Sequence, residues 1–209
     1  MHRIVLIGPP ASGKGTQCRR IKNLLNVPTL GTGKLLRKEV ESGSELGLEV
    51  EGYLNSGAYV PDPVIMKLVK AWMAQRPESG WLLDGFPRTR AQAEALESDV
   101  SFQTPTLAIA LDVPQHELEQ RIISRRECAD CGITVSVSSP DEQSCIDCNG
   151  ALVSRADDDL ESFRRRYANY RELTEPLFDY YRAKGKLLSV DGSANPEDVF
   201  AVINNHLTE

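Results

Sequence analysis

The stretch GPPASGKGT, from Gly8 to Thr16, constrains the fold of this chain more than any other segment. Four residues separate Gly8 from the pair Gly13-Lys14, which matches the P-loop pattern. Its glycines let backbone N–H groups surround a phosphate at a helix N-terminus, and its lysine adds a positive charge. Because Gly15 follows the lysine, the hydroxyl that would bind Mg²⁺ has to come from Thr16. The alternative is an ordinary glycine-rich turn between a strand and a helix.

The sequence on both sides of this loop fits a strand before it and a helix after it. RIVLIG (Arg3–Gly8) is a short β-branched run, and a helical pattern extends from Gly13 to about Leu25. Four further runs are predicted as buried strands of a parallel sheet. They are PTL near Thr29, WLLDGF (Trp81–Phe86), TLAIALDV (Thr106–Val113) and KLLSVDG (Lys186–Gly192). Strands that alternate with helices indicate a doubly wound α/β fold.

Two helices have clear predicted starts. One begins with Asp62 as N-cap and Pro63 at the first helical position. The other begins at Pro114 and carries Arg121 and Arg125 four residues apart, which places both on one helix face.

The last third of the chain is predicted to be mainly helical. A long helix covers Asp157 to about Lys184, and Pro176 kinks or breaks it. A final helix is capped by Asn195. Two segments do not fit the alternation, namely residues 32–60, which suggest two helices with no strand between them, and residues 127–156. We expect both to be insertions over the carboxyl edge of the sheet, where ligands bind in such folds.

Composition argues against several classes of function. The 209 residues carry a formal net charge of −6, whereas general binding of nucleic acid or anionic membranes requires a positive surface. The apolar run Ile4–Ile7 is too short for a signal-peptide core, and no run approaches the ~20 apolar residues of a membrane span. We therefore expect a cytoplasmic protein of one domain with small insertions.

Four of the five cysteines lie in one short segment as two CxxC pairs, Cys128 with Cys131 and Cys145 with Cys148. A glycine follows just after each pair, in CADCG and CIDCNG, and we expect it to serve the turn there. Four thiolates form a complete tetrahedral ligand set for a structural Zn²⁺, and a reducing compartment disfavours disulfides. The alternatives are a redox dithiol, unrelated free thiols, a site without metal, and Fe²⁺ or Co²⁺ in place of zinc. A nucleic-acid-binding ribbon is disfavoured, because the segment contains no Lys or Arg. Cys18 is predicted to be a buried apolar residue.

Charged residues gather near the predicted sheet edge. Asp84 ends an apolar strand, where P-loop enzymes place an aspartate that holds Mg²⁺, usually through water. Arg88 follows it and can clamp a phosphate bidentately. Many cations suit phosphoryl transfer between two anionic nucleotides, although each one alone fits a surface salt bridge as well. The other arginines near the insertions are Arg37, Arg121, Arg125, Arg126, Arg155, Arg164, Arg165 and Arg166.

Eight motifs occur in an order and at spacings that resemble adenylate kinase of the long, bacterial type, over essentially the whole chain. They are GPPASGKGTQ, TGKLLR, ESGSELG, WLLDGFPRT, QAEAL, LDVPQHEL, RIISRR and RADD. The resemblance implies a P-loop nucleoside monophosphate kinase fold of class α/β. That fold has a five-stranded parallel sheet core with helices on both faces, an AMP-binding insertion and a mobile lid. The implied reaction is reversible, direct in-line transfer of a phosphoryl group from Mg-ATP to AMP, which gives two ADP.

The resemblance also divides the chain. It implies core segments at 1–31, 62–126 and 161–209, an AMP-binding insertion at 32–61 and a zinc-bearing lid at 127–160. ATP, AMP and ADP are the implied partners, with Mg²⁺ and a structural Zn²⁺ as cofactors and with no nucleic acid or membrane. Nothing in the sequence demands more than a monomer.

Residue roles are implied by matching position. The resemblance implies that the ATP phosphates are bound by Gly13, Lys14, Gly15 and Thr16. It also implies that Asp84 holds the water molecules around Mg²⁺. AMP is contacted by Thr32, Arg37, Arg88 and Gln92, where Gln92 reads the adenine edge and Gly85 leaves room for the base. Arg121 packs on the ATP adenine, and the arginines that grip phosphates during transfer are Arg125, Arg155 and Arg166. The lid hinge is at Asp157 and Asp158, and the zinc ligands are Cys128, Cys131, Cys145 and Cys148.

Five positions depart from the family pattern. Ala11 and Ser12 replace a common glycine and small residue, and Ala11 is expected to stiffen the loop. Lys34 replaces a common aspartate, which reverses a charge near the AMP pocket and suggests a role at the helix terminus. Val135 and Ser136 stand where relatives often carry Tyr-His, which puts strict ATP preference in question.

Two other functions compete with this interpretation. A kinase for another nucleoside monophosphate is the alternative within the enzyme class, and Thr32 and Gln92 favour AMP over UMP or CMP. A non-enzymatic P-loop protein that uses a zinc lid for interactions would lack a second nucleotide pocket, whereas Arg37, Arg88 and Gln92 indicate one.

Overall fold

The structure is a computed structural model that describes residues 2–76, 80–99, 102–137, 139, 142–155 and 157–208. Its strands in chain order are β1 (Arg3–Ile7), β2 (Thr29–Gly31), β3 (Trp81–Asp84), β4 (Leu107–Asp112), β5 (Arg125–Cys128), β6 (Thr134–Ser136), β7 (Leu152–Val153) and β8 (Leu187–Asp191). Five of them form a parallel sheet in the order β2-β3-β1-β4-β8. The other three form a small antiparallel sheet in the order β6-β5-β7.

Helices cover both faces of the parallel sheet. They are α1 (Lys14–Leu25), α2 (Thr32–Ser42), α3 (Glu45–Ser56), α4 (Asp62–Ala74), α5 (Arg90–Ser98), α6 (Gln115–Ser124), α7 (Leu160–Asn169), α8 (Leu177–Ala183) and α9 (Pro196–Thr208). A π-helical turn, Tyr170–Thr174, lies between α7 and α8. No helix in these described parts is both long enough and apolar enough to cross a membrane.

The core consists of two apolar layers, one on each side of the sheet. Val5 and Ile7 point to the side covered by α4, α5 and α8, whereas Ile4 and Leu6 point to the side covered by α1 and α9. This alternation follows from the two-residue period of a strand. Because both faces are covered, all four of these side chains are at most 1% exposed, which explains why the strand sequence is apolar throughout.

The strand order brings three loops together at the carboxyl edge of the sheet. Leu6 of β1 and Gly31 of β2 both lie in register with Asp84 of β3. The loop after β1, the start of α2 and the end of β3 are therefore neighbours. The chain also continues from β1 towards β2 on one side, while β4 lies on the other, and ligands bind at such a reversal in open α/β sheets.

The predicted α/β fold and its five strands are confirmed, including the short strand near Thr29. Within residues 32–60, all of which are described, the chain forms α2 and α3 and no strand. The long C-terminal helix begins at Leu160, where Asp159 caps it, and is interrupted by the π turn before Pro176. Asn195 accepts a hydrogen bond from the Asp198 N–H at 3.0 Å, as its predicted capping role requires.

Two helix predictions are wrong in detail. Arg125 does not share a helix face with Arg121, because α6 ends at Ser124 and Arg125 adopts extended geometry as the first residue of β5. Asp62 is the first residue of α4 rather than its N-cap, which is Pro61. The carboxylate of Asp62 is instead engaged with side chains of α5.

Candidate active site

A cleft of ≈ 1260 Å³ opens at the carboxyl edge of the sheet. It is bounded by the loop after β1, by α2, by the end of β3 and by the small sheet. Its lining includes every residue predicted to contact a nucleotide. These are Gly13, Lys14, Gly15, Thr16, Thr32, Arg37, Asp84, Gly85, Arg88, Gln92, Arg121, Arg125, Arg155 and Arg166.

The loop after β1 curls around the ammonium group of Lys14. Lys14 Nζ donates to the carbonyl oxygens of Gly8 at 2.8 Å and Pro9 at 2.7 Å. The pKa of Lys14 is lowered to about 7, mainly by burial and also by the nearby guanidinium groups of Arg88 and Arg166, although the charge of Asp84 opposes the shift. A buried cation among other cations favours an anion as its partner. The loop is therefore electrostatically suited to bind phosphate.

Ala11 occupies a backbone position that favours glycine. Its φ is +63°, and left-handed geometry costs a residue with a Cβ about 1–2 kcal/mol. The methyl group packs against the small apolar cluster that includes Val113 and Leu118, which offsets part of this cost. The methyl group thus gives the loop an apolar contact that glycine would lack.

Two arginines that line the cleft form ion pairs with acidic residues in or beside the small sheet. Arg125 forms a two-pronged ion pair with Asp158. Arg155 Nε pairs with Glu127, and its Nη2 donates to Thr134 Oγ1 at 3.0 Å. Such pairs fix the guanidinium planes before any ligand arrives.

Arg166 and Arg37 are two further arginines of the cleft, and burial disfavours their charged forms. Burial lowers the pKa of Arg166 to about 10, although Arg166 Nη1 donates to Asp157 Oδ2 at 2.7 Å. Burial and the neighbouring Arg155 also lower the pKa of Arg37. Like Lys14, these groups gain most from a bound anion.

The other half of the cleft is built around Gly85, whose φ is +79°. Thr32 Oγ1 donates to the Gly85 carbonyl at 2.8 Å, and Arg88 Nε donates to the same oxygen at 2.9 Å. A Cβ on Gly85 would lie 2.9 Å from both Thr32 Oγ1 and Arg88 Nη2. The space that glycine leaves here therefore admits these two side chains.

Arg88 has two supports that the sequence does not reveal. Thr174, in the π turn, donates from its hydroxyl to the Arg88 carbonyl at 2.8 Å. The hydroxyl oxygen of Tyr59 lies 2.9 Å from Thr174 Oγ1, and the centre of the Tyr59 ring is 5.1 Å from the Arg88 guanidinium. Both residues line the cleft. They are 115 positions apart, so no local pattern could have identified them.

The loop after β8 also borders the cleft, next to Arg121. Arg121 Nη2 donates to the Ser193 carbonyl at 3.3 Å, and Asp191 Oδ1 accepts from the Ser193 N–H at 2.8 Å. Asp191 has no role in the sequence prediction, yet it shapes this loop. The sequence signal for such a role was the position of Asp191 at the carboxyl end of a strand, where ligand sites form in open α/β sheets.

Lys34 differs from its prediction. Its Nζ lies 3.4 Å from the carbonyl oxygen of Gly132, so it reaches across the cleft to the cysteine segment instead of acting only at the start of α2. The cysteine segment has a second contact on another side, an exposed ion pair between Asp147 and Arg19 of α1. Val135 and Ser136 lie on β6 and line the cleft.

The four cysteines of the paired motifs come together. Their sulfur atoms all lie within 4.8 Å of one another, with Cys128 and Cys148 at 3.4 Å and Cys131 and Cys145 at 3.7 Å. Tetrahedral Zn–S bonds of about 2.3 Å place sulfur atoms roughly 3.8 Å apart. The cluster therefore fits a tetrahedral thiophilic ion.

The two knuckles that carry these cysteines have the same backbone geometry. The carbonyl of Cys128 accepts from the Gly132 N–H at 2.9 Å, and that of Cys145 accepts from the Asn149 N–H at 2.8 Å. Gly132 and Asn149 have φ of +68° and +63°. The expectation that a glycine serves both turns is thus wrong for the second knuckle, where Asn149 takes the left-handed position that asparagine tolerates.

Comparison with known proteins gives a consistent result. A family model described as adenylate kinase matches residues 6–186. An adenylate kinase of Archaeoglobus fulgidus is 40% identical over 206 residues, covering 96% of this chain and 95% of the relative. One of Gloeobacter violaceus is 41% identical over 217 residues, with 99% and 98% covered. One of Thermodesulfovibrio yellowstonii is 42% identical over 204 residues, with 95% of each covered.

Proposed function

The chain belongs to the adenylate kinase family and catalyses reversible phosphoryl transfer between ATP and AMP, and we propose that the two halves of its cleft divide this work. ATP binds with its phosphates in the loop from Gly8 to Thr16 and its base near Arg121, Val135 and Ser136. AMP binds on the side of Thr32 and Arg88. The single observation that carries this assignment is one cleft lined by both sets of predicted contacts.

The cations between the two halves stabilise the charge of the transferring group. Lys14 from the phosphate loop, Arg88 from the AMP side, Arg155 from the lid, and Arg125 and Arg166 from the core beside the lid surround that position. Positioning and charge stabilisation account for catalysis of phosphoryl transfer, so no nucleophilic side chain is needed. The acidic partners of Arg125, Arg155 and Arg166 keep their guanidinium groups oriented between turnovers.

Adenylate kinases use Mg²⁺ with ATP, and the cleft has suitable oxygen donors for it. Thr16 and Asp84 both line the cleft, and a hydroxyl and a carboxylate are the hard ligands that Mg²⁺ prefers. When bound, the ion offsets charge on the β- and γ-phosphate oxygens. Asp84 would hold it through water.

We also propose the division of the chain into core segments 1–31, 62–126 and 161–209, an AMP-binding insertion at 32–61 and a lid at 127–160 with a hinge at Asp157 and Asp158. Zn²⁺ is the proposed metal of the lid, where it would replace an apolar core as the stabilising element. One chain contributes all the predicted contacts, which supports a monomer. A cluster of free thiols suits the reducing cytoplasm, and the net charge of −6 supports neither a nucleic-acid nor a membrane partner.

The test is phosphoryl transfer from Mg-ATP to AMP, GMP, CMP and UMP in parallel, with metal content measured on the same preparation. We expect rapid ADP formation with AMP alone and about one zinc per chain, as one four-thiolate site holds one ion. Equal rates with several acceptors would contradict the assignment of Thr32 and Gln92 to AMP. A ligand that joins two adenosines through phosphates should raise the melting temperature far more than ATP does, because it fills both halves.

A further inference from the structure

The side-chain amide of Gln92 is fixed in one orientation by two independent partners. Gln92 Nε2 donates to Asp62 Oδ1 at 2.6 Å, and Gln92 Oε1 accepts from the backbone N–H of Arg88 at 2.7 Å. A carboxylate can only accept and a backbone N–H can only donate. Each partner by itself therefore identifies which end of the amide is oxygen and which is nitrogen.

Asp62 is itself held in place. Its second oxygen, Oδ2, accepts from the hydroxyl of Thr89 at 2.8 Å, and Thr89 Oγ1 accepts from the Gln92 N–H at 3.2 Å as the N-cap of α5. Asp62, Thr89 and Gln92 thus form a closed ring of hydrogen bonds, which the backbone N–H of Gln92 completes, between the first turn of α4 and the start of α5. Gln92 is only 2% exposed, so an alternative orientation could not be satisfied by solvent.

The fixed amide leaves one N–H and one oxygen lone pair for a ligand, since an amide has two of each. Adenine presents an amino donor at C6 and an acceptor at N1, which suits an oxygen and an N–H. Guanine and hypoxanthine present the reverse, an acceptor at C6 and an N1–H donor. The same glutamine could read these bases only after its amide rotates by half a turn.

Rotation of the amide is opposed on both sides. It would place Gln92 Oε1 against the carboxylate of Asp62 and Gln92 Nε2 against the N–H of Arg88. A buried polar atom that faces a like partner loses its hydrogen bond and stays desolvated, which is costly. The orientation that matches adenine is therefore the stable one before any nucleotide binds.

We infer that Asp62 is a positioning residue that makes the acceptor site selective for a 6-aminopurine over a 6-oxopurine by locking the amide of Gln92. This inference rests on the proposed placement of the AMP base at Gln92. It assigns to Asp62 a role distinct from its place in the first turn of α4, where any carboxylate would interact favourably with the helix dipole.

The test compares AMP with IMP as phosphoryl acceptor, because these nucleotides differ only at C6 and N1 of the base. Asp62→Asn keeps the shape of the side chain but allows an N–H to face a rotated Gln92. We expect the ratio of kcat/KM for AMP to that for IMP to fall at least about tenfold, since buried polar mismatches dominate such discrimination. The loss should appear mainly as a higher KM for AMP, with the KM for ATP unchanged.

Glu45→Gln is the matched control, because Glu45 is the exposed first residue of α3 and lies outside the cleft. It removes the same charge from the first turn of a helix and should leave the ratio unchanged. Asp62→Ala is the second variant, since it removes the lock without offering a new donor. A purely structural role for Asp62 would lower kcat/KM equally for AMP and for IMP. An unchanged ratio of the two kcat/KM values in both Asp62 variants overturns the inference.

Gln92→Ala separates this inference from the proposed function. If Gln92→Ala removes the preference for AMP while the Asp62 variants retain it, Gln92 reads the base but Asp62 does not position it. If Gln92→Ala retains the preference, the placement of the AMP base at Gln92 is itself wrong.

Discussion

Arg125 and Asp158 form a two-pronged ion pair across the base of the proposed lid. Arg125 Nε donates to Asp158 Oδ2 at 2.8 Å, and Arg125 Nη2 pairs with Asp158 Oδ1. Their side chains are only 10% and 2% exposed. Arg125 is the first residue of β5, where the chain leads into the proposed lid, and Asp158 precedes α7, where the chain returns to the parallel-sheet core.

This pair should contribute strongly to stability. Asp158→Ala is expected to lower the free energy of unfolding by about 3 kcal/mol, because it leaves a buried guanidinium without its partner. Urea denaturation measures this change. The control is Asp179→Ala, which removes a pair with Arg182 whose side chains are 84% and 60% exposed and should cost less than about 1 kcal/mol. Equal losses in the two variants would mean that Arg125 finds another partner.

Acid should weaken the contribution of Asp157. Burial alone raises the pKa of Asp157, but the positive charges of Arg166 and Arg37 outweigh burial and hold this pKa below its ordinary value. A carboxyl with a lowered folded pKa stabilises the protein above its unfolded pKa, about 4, and loses that contribution as the pH falls through the folded value. The stability difference between the wild type and Asp157→Asn should therefore be largest near neutral pH and shrink below about pH 4. Denaturation of both proteins at neutral pH and below pH 4 measures this difference in stability. A difference that grows as the pH falls would contradict the prediction.

Lys14→Met should separate activity from folding. The substitution removes the charge that the phosphate loop directs at the nucleotide, so kcat/KM should fall about a hundredfold or more. It also removes a buried cation of lowered pKa, so the melting temperature should stay the same or rise. Steady-state rates and thermal melts measure the two effects. Lys38→Met, an exposed lysine on α2, is the control, and normal turnover in Lys14→Met would remove this loop from the ATP site.

Cys145→Ser should damage the lid and its metal together. Because four thiolates complete a structural site, we expect the variant to lose most of its zinc and to show a lower melting temperature and faster proteolysis of the lid. Metal analysis and limited digestion measure these changes. Cys18→Ala is the control, since Cys18 lies in the core at the phosphate-loop helix rather than in the cluster. Unchanged zinc stoichiometry in Cys145→Ser would exclude Cys145 as a ligand.

Features with a local pattern could be predicted from the sequence. The strand, loop and helix around Lys14 follow from glycine spacing and an apolar run, and the cysteine cluster follows from paired spacing. The strands were found because burial on both faces makes each of them continuously apolar. The position of Arg125 was predicted wrongly because helical spacing continues through it, while pairing with β6 and β7 draws it into a strand. Pairing between distant segments overrides local preference in such cases.

Features that join distant residues could not be predicted. The contact of Asp62 with Gln92 spans 30 positions, and that of Thr174 with Arg88 spans 86. Asp62 has the sequence context of a helix cap, so the sequence predicted that local role and gave no indication of its contacts with Thr89 and Gln92. The second cysteine turn differs, because the sequence indicates a turn there but not which residue serves it. Gly150 was expected, whereas Asn149 adopts the left-handed geometry.

The Arg125–Asp158 pair has a consequence for how such proteins diverge. It joins the point where the chain leaves the parallel-sheet core to the point where it returns, and the strands described between them, β5, β6 and β7, form a sheet of their own. The segment between them is therefore closed at its base by one ion pair, and its described strands pair with one another. We expect its length, its cysteines and its surface to tolerate change while strand order and the phosphate loop stay the same, so that this part of the gene is open to replacement in a single step.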